Sequence, residues 1–418
     1  KFKLPSDFNF RKANKIISCV ELESLQLVRL LGLEAMEPAD IFSQFLFPDV
    51  QAQSIYTVEE TTKIMLWILE RKYEIQNEAF LNDLKDLAFV RTRNEELKKP
   101  CELYDPNDSV VADLFLEEGS KFPSEEFFKL ISTLQELGLR SRDMITALDV
   151  LGVAERVIQL KHEVTLKKVQ ALVTIFQERP NFLQMDIHGD PLASKLAEIK
   201  WVPRAKKYPR GMAYPNFMHK NWYSSETLFY KPSELFRESD TLLVGTSAPI
   251  LGIEMRDEIQ DLLCVQKEVN VNNVVEHLKT AVNVWEEKKR SNSQYNDMLQ
   301  KIYEYLSKVS AQENVSKAID QSNLVNWIWH GSGFSSPKQM ALEKDLPFEF
   351  RPPLFLLPDT LNDGGTLTNF FRAHGVRAQF SKEDIIKVLA VIKEEHEEPP
   401  SEISPQRIEK DLKFCRSI

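Results

Sequence analysis

The chain holds 418 residues, 43% of them hydrophobic and 28% charged, with a formal net charge of −10. That balance belongs to globular proteins and excludes a disordered chain, while the length asks for more than one core. No apolar run approaches the ~20 residues that cross a bilayer, and the acidic balance argues against general nucleic-acid binding.

Lys1-Phe-Lys-Leu-Pro5 has neither an initiator methionine nor the apolar centre of a signal peptide. The amphipathic run Ile408–Ile418 stops without a terminating Gly or Pro, so both ends read as cut from a longer chain. From Leu27 a helical apolar stripe reaches Gly32, and a second helix follows from Pro38. A third helix is predicted over Thr61–Leu69, a strand at Leu87-Ala-Phe89-Val90, and a Pro-led turn at Pro100.

The same order then returns. A helix ends at Gly138, and Asp143 stands near the start of the next one. Lys168–Phe176 reads as helix, Ile199-Lys-Trp201-Val202-Pro203 as strand, and Pro232 as the Pro-led turn. A third pass has helices at Ile259–Val265 and Val271–Leu278, a loop at Ser291–Asn296, and a helix at Met298–Leu306. Its strand is Trp327-Ile328-Trp329-His330, and Ser336-Pro337 opens its turn. A fourth, truncated pass has a helix ending at Gly375 and another starting near Ser381. Glu394–Glu402 reads as an acidic linker.

The turn positions Gly32, Gly138, Val265 and Gly375 are spaced 106, 127 and 110 residues apart. Three are glycines, as a left-handed helix C-cap favours. Repetition on this scale predicts an α+β, predominantly α fold: an elongated array of repeated helical units, each with a short strand or hairpin element. The unit boundaries are placed at 1–123, 124–250, 251–358 and 359–418.

Candidate chemistry is sparse. The four cysteines lie far apart and the seven histidines form no HxxxH or HExxH pair, so neither zinc nor a catalytic dyad is expected. Asn107 and Asn314 begin glycosylation sequons, a pattern common by chance. His188-Gly189-Asp190 resembles part of a phosphotransferase loop, but the position five residues after its Asp is Lys195, so a turn is expected. Gly331-Ser-Gly333 lacks the Lys-Ser/Thr of a phosphate loop and reads as a tight hairpin turn. The tryptophans at 67, 201, 285, 327 and 329 sit in apolar runs and read as core anchors.

One stretch stands apart. Lys200 to Lys220 carries Arg204, Lys206, Lys207 and Arg210 interleaved with Tyr208 and Tyr214, with Trp222 just beyond. No acidic residue lies between Glu198 and Glu226. Cations beside aromatic rings suit an anionic partner, or a loop docked on an acidic neighbour. These seven residues are the candidate partner-binding set.

Long irregular strings carry a family likeness. The runs from Leu84 through "KDLAFVRTRNEELKKPCELYDPND", "IKWVPRAKKYPRGMAYPNFMHKNWYSSETLFYKPSELF" and "WIWHGSGFSSPKQMALEKDLPFEFRPPLFLLP" resemble the repeated regions of the sacsin family, over roughly residues 20 to 390. The resemblance implies a very large chaperone-like protein. Its repeated regions open with an Hsp90-type ATP module, and other domains recruit an Hsp70-type chaperone. The adenine-reading Asp-x-Gly-x-Gly string and glycine-rich lid of such an ATP module are missing here, so this chain resembles the part that follows it. The expected function is a non-catalytic scaffold and client-binding segment in the cytoplasm, without cofactor or metal. The alternatives are a nucleotide-dependent enzyme domain and an anionic-partner recognition module.

Overall fold

The first four amides of any helix lack intrahelical acceptors, so short helices form where a side chain supplies one. Thr57 and Glu60 make a reciprocal capping box for the Val58–Glu70 helix, and Asn77 caps Glu78–Asp86. The computed structural model describes residues 30, 32, 36–52, 55–75, 77–159, 162–205, 218, 228–310, 314–342, 354–397 and 404–417. Among these the fold is predominantly α, with five pairs of two-residue strands. The chain divides into two compact units, Lys1–Trp201 and Val202–Ile418.

In the first unit, the N-terminal helices bury Phe42, Met65, Ile68, Phe80 and Leu84 in one cluster with Phe89, Leu103 and Leu134. The His162–Glu178 helix presents Val169, Leu172, Val173 and Phe176 as one fully buried stripe. Phe176 meets Trp201 edge-on at 6.0 Å, and the Trp201 indole donates to the Leu196 carbonyl at 3.1 Å.

In the second unit, the long helices Val271–Lys288 and Ser293–Val309 carry the core, capped by Asn270 and Asn292. The Asn292 cap starts a helix inside the stretch read from sequence as a loop at 291–296. No helix among the described residues is long and apolar enough to cross a membrane.

One arrangement recurs three times among the described residues. An aromatic residue, buried in each case (Phe89, Trp201, Trp327), precedes a hairpin. The hairpins are β1 (Val90–Arg91) with β2 (Leu97–Lys98), β5 (Val202–Pro203) with β6 (Phe229–Tyr230), and β7 (Ile328–Trp329) with β8 (Phe334–Ser335). A 3₁₀ turn led by Pro100, Pro232 or Pro337 follows. In each, the side chain three residues on accepts from the residue before the proline: Glu102 from Lys99 at 2.9 Å, Glu234 from Lys231 at 3.1 Å, Gln339 from Ser336 at 3.1 Å. The next residues then pair in parallel with a segment that leaves a helix: Tyr104 with Arg140, Phe236 with Gln266, Ala341 with Arg377.

Those helices, Ile131–Glu136, Asp257–Leu262 and Thr366–Ala373, end in the same Schellman pattern. Leu139, Val265 and Val376 donate five residues back, to Leu134, Gln260 and Phe371, at 2.8, 2.9 and 3.0 Å. The left-handed residues are Gly138, Cys264 and Gly375. The second of these corrects the sequence reading, which took Val265 as the equivalent position. A glycine search misses this site because the residue there is a cysteine at φ 59°.

A left-handed conformation costs an L-residue about 1–2 kcal/mol, partly offset by the greater entropy glycine loses. A Cβ at Gly138 or Gly375 would meet the Pro-led turn at an ordinary 3.5 or 3.8 Å, so φ rather than space favours glycine. Cys264→Gly is therefore expected to raise stability by about 0.5–1 kcal/mol in urea unfolding. A fall instead would show that the thiol makes a contact worth more than the strain.

Two boundaries differ from the sequence reading. After Gly138 a 3₁₀ turn at Arg142–Met144 holds Asp143, and the α-helix starts only at Ala147, where Thr146 and Asp149 complete the capping box. The Lys382–Glu397 helix runs into the stretch read as an acidic linker at 394–402. His396 meets Asp411 at 3.0 Å and Arg407 donates to Glu395 at 2.6 Å, which holds this last turn against the Pro405–Ser417 helix.

Candidate functional site

The three hairpins differ most in what joins their strands. The connection covers residues 92–96 in the first, 330–333 in the third, and 204–228 in the second. The basic aromatic stretch singled out in the sequence is thus an insertion into the second hairpin. Of the candidate set, Arg204 is described and stands at the loop's base. Lys206, Lys207, Tyr208, Arg210, Tyr214 and Trp222 lie outside the described residues.

The base is built from backbone. Arg204 donates to the Leu228 carbonyl at 2.9 Å, Ala205 to Ile250 at 2.8 Å, and Gly252 to Pro203 at 2.8 Å. A Cβ on Gly252 would fall 2.4 Å from the Arg204 carbonyl carbon and 2.5 Å from the Ala205 nitrogen, so this crossing needs glycine.

Beside it lies a cleft of ≈ 190 Å³ lined by Arg204, Tyr230 and the Gly245–Pro249 loop. The loop follows the short Thr241–Val244 helix, whose Thr241 carbonyl accepts from Gly245 and whose Val244 carbonyl accepts from Ser247 and Ala248. His277, fully buried on the Val271–Lys288 helix, holds the loop from behind. Its Nδ1 lies 2.5 Å from the Thr246 hydroxyl and accepts from the Thr246 amide at 3.3 Å. Burial pushes its pKa down to about 3, against a weaker opposing pull from the Leu242 carbonyl. The ring is therefore neutral at pH 7 and orients Thr246. The sequence marked His277 as one of seven scattered histidines, and only packing reveals this role.

The other sequence motifs resolve as turns. His188 and Gly189, both at positive φ, join β3 (Asp186–Ile187) to β4 (Asp190–Pro191) as a two-residue hairpin turn. Gly331, at φ 93°, turns β7 into β8. Asn314 spends its side chain capping the Val315–Gln321 helix. No group of three His, Cys, Asp or Glu able to hold a metal occurs among the described residues.

No family model matches the chain, and no solved structure matches it. Among curated proteins, human Sacsin is 25% identical over 370 residues, which cover 86% of this chain and 8% of that relative. The match extends well beyond any single module, as the family likeness of the strand and proline strings implies. The chain is thus similar to sacsin over most of its own length and spans a small fraction of the length of that relative.

Proposed function

We propose that this segment is a non-catalytic structural and client-binding part of a very large sacsin-like chaperone, working in the cytoplasm in protein quality control. The observation that carries the reading is the threefold module. Its hairpin, Pro-led turn and Schellman helix spend their backbone groups on one another, which suits a stiff carrier of surface. In the full-length protein its neighbours would be an Hsp90-like ATP module and domains that recruit an Hsp70-type chaperone.

The test is suppression of an aggregating client by the isolated chain, with and without ATP. Nucleotide-independent suppression is expected. No suppression removes the client-binding part, and saturable magnesium-dependent ATP binding by the chain favours the enzyme alternative instead.

One observation favours a second reading, recognition of an anionic partner by the 204–228 connection. That stretch is long and basic only in the second hairpin. Charge reversal at Arg204, Lys206, Lys207 and Arg210 is expected to abolish capture of such a partner, and unchanged capture discards the reading.

A further inference from the structure

The residue that leaves the first strand of each hairpin is Thr92 after β1, Arg204 after β5 and His330 after β7. The first module closes this position on itself: the hydroxyl of buried Thr92 accepts from the Asn94 and Glu96 amides at 3.3 and 3.1 Å. So does the third, where the His330 ring stacks on Phe355 at 3.8 Å. In the second module the residue is a permanent cation, and it lines the cleft with Tyr230 and the Gly245–Pro249 loop. That lining carries no carboxylate.

The loop's own donors decide what the cleft can hold. The Gly245 amide donates to the Thr241 carbonyl at 2.9 Å, and the Ser247 and Ala248 amides to the Val244 carbonyl at 2.9 and 3.0 Å. The Thr246 amide goes to His277 Nδ1, and Pro249 has no N–H. Because His277 Nδ1 accepts from that amide it carries the lone pair, so the Thr246 hydroxyl donates to it as well. The Ser247 hydroxyl donates to the Val244 carbonyl at 3.1 Å. No donor of the loop is left for a ligand. The donors that can serve one are the guanidinium of Arg204, with its five N–H groups, and the hydroxyl of half-buried Tyr230. A phosphate dianion takes a nest of amides or a second cation, and the lining offers neither. A carboxylate carries a single charge and matches what is there.

We propose that this cleft seats a carboxylate side chain, glutamate or aspartate, from an acidic segment of a partner protein. The Arg204 guanidinium pairs with the carboxylate oxygens and the Tyr230 hydroxyl donates to one of them. The proposal rests on the second reading above, recognition of an anionic partner, and gives it a seat at the base of the 204–228 connection. The sequence around Arg204 is basic, with no acidic residue between Glu198 and Glu226. The chain's net charge of −10 does not forbid the contact, because charges beyond about 8 Å are largely screened at physiological salt.

The experiment titrates the whole chain against a dye-labelled peptide of alternating glutamate and serine, with binding read by fluorescence anisotropy. Counterparts carry glutamine or phosphoserine in place of each glutamate. Saturable binding of the glutamate peptide is expected, with none of the glutamine peptide and no gain from phosphoserine. Arg204→Gln is expected to weaken binding about tenfold and Tyr230→Phe about threefold, the range for one charged and one neutral hydrogen bond. Should Arg204→Gln fail to fold, Tyr230→Phe, which removes a single oxygen, decides. Binding that charge reversal at Lys206, Lys207 and Arg210 abolishes but Arg204→Gln and Tyr230→Phe leave unchanged would overturn the cleft as the seat, while the anionic-partner reading stands. Tighter binding of the phosphoserine peptide would overturn the choice of a carboxylate. No binding of either acidic peptide would overturn both the cleft and the reading it rests on.

Discussion

Replacing Trp327 by alanine is expected to destabilise the second unit by about 3–5 kcal/mol, the range for losing a buried Trp or Phe side chain and leaving a cavity. The indole is 2% exposed and sits among four rings. Its centroid lies 6.2 Å from Tyr303, 6.0 Å from both Phe370 and Phe371, and 5.7 Å from His374. The residue thereby joins the hairpin, the Ser293–Val309 helix and the Thr366–Ala373 helix of the third module. A urea midpoint shifted down with an unchanged slope checks it, and an unshifted midpoint would refute this account of the core. Tyr303→Phe probes the polar half of the same joint. The Tyr303 hydroxyl donates to the Trp327 carbonyl at 2.6 Å and accepts from the Trp329 amide at 3.0 Å. Its loss leaves two buried backbone groups without that partner, at about 1–3 kcal/mol each when unsatisfied.

The second large effect is on acid stability. His277 titrates near 6.5 when unfolded and about 3 when folded, so the unfolded state binds the proton first as pH falls. Stability from this group is fully present above about pH 6.5 and is lost progressively down to about pH 3. Between pH 7 and pH 5 the loss is about 2 kcal/mol from this one site. His277→Met, which keeps the bulk and removes the titration, is expected to lower stability at pH 7 because Thr246 loses its acceptor. It is also expected to flatten the dependence between pH 7 and pH 5 by that amount. Parallel pH profiles for the two proteins would show that His277 takes up a proton without unfolding the loop, contrary to this account.

How much of this was legible in the residues depends on the length scale of each feature. The Pro-led turns were readable because Pro at the first position and Glu or Gln two residues later act within four residues. The buried aromatics before each hairpin were readable as short apolar runs. The Gly138 and Gly375 caps were readable because left-handed φ selects glycine, and Cys264 escaped because selection there is only a preference. Arg204 was singled out as part of a charged aromatic stretch. That the stretch interrupts one hairpin of three needed the strand registers.

The sequence by itself determined the predominantly helical class and the kinship of its strings, and it pointed to the recurring hairpin and Pro-led turn, because each depends on local conformational preference or on periodic burial. Only the tertiary structure decided the rest. The parallel bridges from Tyr104, Phe236 and Ala341 join residues some 30 positions apart or more, and main-chain pairing of that kind carries no side-chain signature. Gly252 must be glycine because a distant backbone passes within 2.4 Å of its absent Cβ. His277 is held neutral because burial removes the water that would stabilise its charge. That Tyr230 stands in one hairpin where Lys98 stands in another is visible only once the two strand registers are compared residue by residue.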